Sequence, residues 1–126
     1  VLAPVTQTIA QFFAGAARSA RLHAAVVRAV DRAGGARQRV STSQVAFVHR
    51  RAFAWTWMPR KYLGNRGAPL VLTVALRRRD RSRRWKQVVE PAPGRFTHHL
   101  ELRLVRDVDA QVVGWLAEAR RDAGPA

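Results

Sequence analysis

The chain contains no cysteine, which removes disulfides, thiolate-held metals and cysteine nucleophiles from consideration. Long apolar runs are missing as well: none approaches the roughly 18 residues that a membrane-crossing helix needs. The opening residues, VLAPVTQTIAQFFAGAA, lack the basic start of a signal peptide and carry Thr and Gln, so a cytoplasmic protein is expected. The chain starts on Val1 rather than methionine, as a processed form or one end of a longer chain would. Acidic residues are scarce, 8 against 23 basic ones, and the formal net charge is +15. Lysine is scarcer still. Lys61 and Lys86 are the only two, so nearly all the positive charge is guanidinium.

The shortage of carboxylates limits catalysis. Asp31, Asp107, Asp109, Glu118 and Asp122 fall near the ends of expected helices, where they serve the backbone. Glu90 and Glu101 remain as candidates for acid–base work, and nothing in their spacing pairs them. Ser41 and Ser43 in VSTSQ sit in no GxSxG elbow, and no GxxxxGK[ST] or GxGxxG loop is present. The histidines His23, His49, His98 and His99 show no HxxxH or HxH spacing. A metal site wants three or four converging ligands, so no metal and no cofactor is expected, and no catalytic residue is assigned. The expected class is non-enzymatic.

What the sequence does contain reads as one globular domain over residues 1–126, 48% apolar. Ile9, Phe12 and Phe13 recur at helical spacing, and SARLHAAVVRAVDRAGG follows with Ser19 as N-cap and Gly34-Gly35 as stop. The period then changes. VAFVH and FAWTWM are short and rich in β-branched and aromatic residues, a hairpin signal whose Arg50-Arg51 turn suggests a wider loop. RKYLGNRGAP reads as a loop, LVLTVAL as a central strand buried on both faces, WKQVV as an edge strand and PAPG as a rigid connector. FTHHLEL is a strand, and the end returns to helix with Asp107 as its cap, Val108, Val112, Trp115 and Leu116 in its stripe, and Gly124-Pro125 as its stop. The expected class is α+β: N-terminal helices, an antiparallel meander of four to five strands, and a C-terminal helix packed on one face through Trp115.

Three stretches carry the functional readings. RRRDRSRR places Arg77, Arg78, Arg79, Arg81, Arg83 and Arg84 in eight residues, offset only by Asp80. Such a run is either a solvated surface or a contact for phosphates. In FAWTWM, period two puts Phe53, Trp55 and Trp57 on one face. They read as a base-stacking platform or as the filling of a sheet face pressed on helices. The need to fill a core favours the second. In FTHHLEL the alternation sends His98 inward with Phe96, Leu100 and Leu102, and His99 outward with Glu101.

STSQVAFVHRRAFAWTW, APLVLTVAL, GRFTHHLELR and DVDAQVVGWLAEA together extend over nearly the whole chain. On these segments the chain resembles the bacterial family known as domain of unknown function 5655. The resemblance implies a helix, a meander and a closing helix. It also implies an accessory or ligand-binding role, because such domains occur alone or joined to other small domains, including in predicted transport-related proteins. It supplies no catalytic residues. The first reading is therefore a bacterial module that binds an anionic partner, nucleic acid or another polyanion. The run Arg77, Arg78, Arg79, Arg81, Arg83 and Arg84 would make the contacts, with Arg50, Arg51, Arg60 and Lys61 in support. The alternative is a ligand-sensing or scaffold domain, with a protein partner or a pocket between sheet and helices near His98, Trp85 and Arg95.

Overall fold

The computed structural model describes residues 7–64 and 66–124. The chain runs α1 (Ile9–Phe12), α2 (Ala17–Arg32), β1 (Arg37–Val40), β2 (Val45–His49), β3 (Arg51–Trp57), α3 (Arg60–Leu63), β4 (Leu70–Leu76), β5 (Gln87–Ala92), β6 (Arg95–Leu102), a short 3-10 turn (Val105–Asp107) and α4 (Ala110–Ala123). The α+β class holds, but the sheet has six strands rather than four to five, in the order β1-β2-β3-β4-β6-β5. Every neighbouring pair is antiparallel. The extra strand is β1, RQRV. Of its two helix-side residues only Val40 is apolar and packs against the core, while Gln38 bonds the ring of His23 on α2. An alternation of apolar residues therefore has nothing to mark.

α2 and α4 lie against one face of the sheet. Leu22, Val26, Ala29 and Val30 from α2 and Val112, Trp115, Leu116 and Ala119 from α4 are buried there. They meet Phe47, Leu70, Leu72, Val74, Leu76, Leu100 and Leu102 of the strands. Burial of this apolar surface is the main stabilising term, at roughly 25 cal/mol per Å². β4 is the central strand, as its unbroken apolar run indicates, with both neighbours paired and Leu70, Leu72 and Val74 fully buried.

Local details depart from the sequence expectations where a side chain has a better partner than the backbone cap. Ser19 lies inside α2, and its hydroxyl donates to the buried Pro69 carbonyl at 2.7 Å. Asp109, not Asp107, caps α4 by accepting from the Val112 N–H. Asp107 instead accepts the N–H groups of Arg103 and Leu104, at 2.9 Å each, and fixes the turn that leads into the helix. The β2–β3 turn is tight rather than wide. His49 pairs with Arg51, and Arg50 alone occupies the turn in left-handed backbone at φ +53°. Part of RKYLGNRGAP winds into the single turn of α3. Pro125, read as part of the helix stop, lies outside the described residues.

Candidate ligand-binding face and the arginine loop

No described helix packs against the other face of the sheet. Its composition follows from a β-bulge. Phe47 pairs with Ala54 and Val48 with Ala52, which leaves Phe53 as the extra residue on β3. A bulge shifts the alternation by one residue. Phe53 therefore turns into the core at 1% exposure, alongside Ala54 and Thr56, while Trp55 and Trp57 point the opposite way and stay half-buried. The expectation that all three aromatics share one core-filling face is corrected on this point.

The register lines up one row across the uncovered face. Arg39 pairs with Ala46, Ala46 with Trp55, Trp55 with Thr73, Thr73 with His99 and His99 with Gln87. A twisted sheet raises two diagonal corners on the same side and so hollows the diagonal between them. Here Ser43 and Gln44 of the β1–β2 turn lie at one end, and Pro91, Ala92 and Arg95 of the β5–β6 hairpin lie at the other. Between them lies a trough of about 550 Å³ floored by Trp55, Trp57, Thr73, Thr97 and His99. That volume falls within the usual range of ligand sites, roughly 300–1,000 Å³.

The polar groups in the floor are ordered by a short relay. The Trp57 indole N–H donates to the Thr73 hydroxyl oxygen at 3.0 Å, and Thr73 Oγ1 lies 2.8 Å from His99 Nδ1. An indole N–H can only donate, so Thr73 accepts from Trp57 and shares its second hydrogen bond with Nδ1, while Nε2 of His99 has no partner among the described residues. Burial, reinforced by the neighbouring His98, holds the His99 pKa below the ordinary imidazole value. At neutral pH the floor therefore presents a neutral imidazole, across Thr73 from the two tryptophans, whose Nε2 donates to a ligand in one tautomer and accepts from it in the other. Arg95 at one end, and Arg37 and Arg39 on exposed β1, supply positive charge around this face. Its carboxylate Glu101 faces Arg103 at 3.7 Å.

His98, one residue away, faces the helices and is fully buried. Its Nδ1–H donates to the Val74 carbonyl at 3.2 Å, and its Nε2 accepts the Asp80 N–H at 3.0 Å. Burial lowers its pKa, outweighing the Val74 carbonyl and the Asp80 carboxylate, which favour the cation. Both ring nitrogens are satisfied in the neutral form. Trp85 stacks at 4.9 Å on His98 and at 4.1 Å on Trp115. His98 and Trp85 are thus core residues, and Arg95 lies across the sheet from them. The three do not line a common cavity.

The arginine run is an ordered loop on the helix side. Asp80 is its keystone, accepting from Trp85 Nε1 at 2.8 Å, from the Ser82 N–H at 3.1 Å and from Arg78 at 2.9 Å. Burial alone would raise the pKa of Asp80, but these donors hold it below the usual carboxylate value. Arg78 also forms a two-pronged pair with Glu118 of α4, both bonds at 2.8 Å, which raises its pKa further. Arg84 reaches Asp109, Gln111 and the Asp107 carbonyl, tying the loop to the start of α4. Arg77 is held at the other end of α4 by the Asp122 carbonyl at 2.8 Å. Three of the six arginines therefore serve the fold. Arg81 and Arg83 are exposed without a partner among the described residues, and Arg79 lies 5.3 Å over Phe96.

The supporting cations do not assemble around this loop as one patch. Arg51 reaches the Asp122 carbonyl at 3.2 Å and so joins Arg77, and Arg50 projects from the adjacent turn. Arg60 and Lys61 lie beyond the far end of β3, against the Gly67 and Thr42 carbonyls. Among the described residues, no three His, Cys, Asp or Glu side chains converge as a metal site would require, and no helix is long and apolar enough to cross a membrane. The face the sequence undervalued is the uncovered one. Its composition depends on the bulge at Phe53, and a bulge is a property of two paired strands rather than of one segment.

A family model described as Domain of unknown function (DUF5655) matches residues 9–121. No curated protein and no solved structure matches the chain.

Proposed function

The chain belongs to the DUF5655 family, and we propose that this member is a non-enzymatic module that binds an anionic partner, single-stranded nucleic acid, on its uncovered sheet face. The carrying observation is that Trp55 and Trp57 stand uncovered in the trough, with Arg95 at its end and Arg39 in the same cross-strand row, in a chain of net charge +15. Bases stack on such aromatics whatever their identity, and phosphates follow the cations at the rim. The unpaired His99 Nε2 offers a base edge one directed hydrogen bond, as donor or as acceptor according to the ring tautomer. Duplex is a poorer fit, because paired bases keep their faces inside the stack and leave the tryptophans nothing to cover.

The exposed loop arginines Arg79, Arg81 and Arg83 contribute long-range attraction in this reading, not the seat of the ligand. A second reading keeps the trough and reduces the ligand to a small planar anion, which the 550 Å³ volume favours. Binding of short thymidine oligonucleotides, followed by fluorescence anisotropy across a salt series, separates the two. The strand reading expects affinity to rise with length beyond one nucleotide and log K to fall with log salt by about 0.7 per phosphate contacted. Equal affinity for mononucleotide and oligonucleotide supports the small-ligand reading. Unchanged oligonucleotide affinity in Trp55→Ala and Trp57→Ala contradicts the trough as the site.

A further inference from the structure

We propose that the end of the sheet beside the C-terminus of α4 holds a binding pocket for a phosphate monoester, built from Arg51, Arg77 and Arg95. Arg51 and Arg95 open β3 and β6 and Arg77 directly follows β4, and they line one hollow of about 200 Å³ together with Gly94, Asp122 and apolar residues of the strands and α4, Phe53, Leu76 and Ala119 among them. Antiparallel pairing is what brings them together: the start of β3, the end of β4 and the start of β6 all lie at the same end of the sheet.

Helix capping explains only part of this cluster. The C-terminal carbonyls of a helix attract cations, and the Asp122 carbonyl accepts one Nη2–H bond from Arg51 and one from Arg77. Each guanidinium is thereby fixed through a single nitrogen. The Nε and Nη1 edges of both have no partner among the described residues. Arg95 caps nothing and has no hydrogen-bond partner among the described residues. One carboxylate, Asp122, faces the three cations, and its Oδ2 already accepts the Arg77 backbone N–H at 3.2 Å.

Two positive charges are left over among three exposed, fork-shaped donors around a small hollow whose remaining lining is mostly apolar. A phosphate monoester carries close to two negative charges at neutral pH and offers three acceptor oxygens. Guanidinium matches that geometry in two-pronged bonds. A carboxylate ligand would leave one charge and one fork unmatched. Arg95 also lines the end of the trough, so the pocket opens where a strand lying on Trp55 and Trp57 would terminate. The phosphate is then either the terminal phosphate of such a strand or that of a small phosphate ester. Only the first source rests on the trough reading.

Two titrations test the pocket and keep it apart from the trough. Inorganic phosphate is titrated into the full chain while the side-chain Nε–H resonances of arginine are followed by NMR. The expected result is saturable shifts of Arg51, Arg77 and Arg95, with affinity at least about tenfold weaker in Arg95→Gln, as loss of a charge-assisted pair implies. Arg95 has no structural bond to lose, so this variant folds as the parent does, and Arg95→Lys, which keeps charge but not the fork, recovers only part of the affinity. In parallel, tetrathymidylate with and without a terminal phosphate, at either end, is compared in the parent and in Arg51→Gln. A gain on phosphorylation in the parent that is lost in Arg51→Gln identifies the strand end as the source. No gain, with inorganic phosphate still bound, identifies the small ester. Phosphate shifts that fail to saturate, or that persist unchanged in Arg95→Gln, overturn the pocket whatever the oligonucleotides do.

Discussion

The two faces of the sheet each hold two of the four tryptophans and one of two adjacent histidines, and they use them in opposite ways. On the covered face, Trp85, Trp115 and His98 pack against one another with both ring nitrogens of the histidine satisfied inside the protein. On the uncovered face, Trp55, Trp57 and His99 share a trough, and Thr73 ties Trp57 to His99 while Nε2 has no partner among the described residues. The same residue types build a core when a helix supplies the other half of the packing. They build a site when nothing does.

The sharpest way to break this comparison is to truncate one tryptophan from each face. Trp115→Ala removes a 5%-exposed side chain from the heart of the helix–sheet interface and is expected to cost about 3–5 kcal/mol in a urea unfolding titration. Trp55→Ala, half-buried on the open face, is expected to cost well under half of that. Equal losses would mean that the open face is structural too.

A second test reads binding in place of stability. Trp55→Ala and Trp57→Ala are each expected to weaken a short single-stranded oligonucleotide by about 1–3 kcal/mol, roughly 5- to 150-fold. Trp85 and Trp115 contribute to binding only through the fold, so any partial truncation there that leaves the protein folded should leave the affinity unchanged.

Within the loop on the covered side, the arginines divide in the same way. Arg84→Ala breaks the pair with Asp109, the residue that caps α4, and should cost about 1 kcal/mol, since the pair is partly solvated. Arg81→Ala and Arg83→Ala should fall within about ±0.5 kcal/mol, as surface changes do. Matching effects of all three would show that the loop is not anchored through Arg84.

The smallest expected effect is on pH. His23, His98 and His99 all have pKa values lowered chiefly by burial. A base with a depressed folded pKa favours the native state while neutral, so its contribution is complete above the unfolded value, about 6.5. It is lost progressively as pH falls from there through the folded pKa. The carboxylates Asp80, Asp107 and Asp109, also lowered, act in a separate window below about pH 4. Urea midpoints should therefore decline between pH 7 and 5 and again below 4. A flat profile from pH 7 to 5 would contradict the neutral, internally bonded state of His98.

Much of the covered face was legible in the sequence because burial writes itself as periodicity. LVLTVAL, the inward alternation ending in Leu100 and Leu102, and the stripe of Val112, Trp115 and Leu116 all lie where their spacing puts them. β1 was not legible, since Val40 is its one apolar residue on the helix side and Gln38, the other, serves a buried histidine. The open face was hidden by the bulge at Phe53, which breaks period two through pairing with a different strand. The arginine run was legible as charge but not as structure: that Asp80 gathers Trp85, Ser82 and Arg78, and offers its own N–H to His98, depends on contacts up to 18 residues away. The convergence of Arg51, Arg77 and Arg95 depends on three strand ends meeting. Local patterns report what each segment buries, and sites assembled from several segments leave no local pattern.

The four indole N–H groups give the most direct test, because one NMR spectrum reads both faces at once. A short single-stranded oligonucleotide is titrated into the protein labelled with nitrogen-15, and the indole resonances are followed. Saturable shifts of Trp55 and Trp57 with a common affinity are expected, while Trp85 and Trp115 stay where they are. Shifts confined to the backbone amides of residues 77–84, with Trp55 and Trp57 unmoved, would contradict the trough as the site.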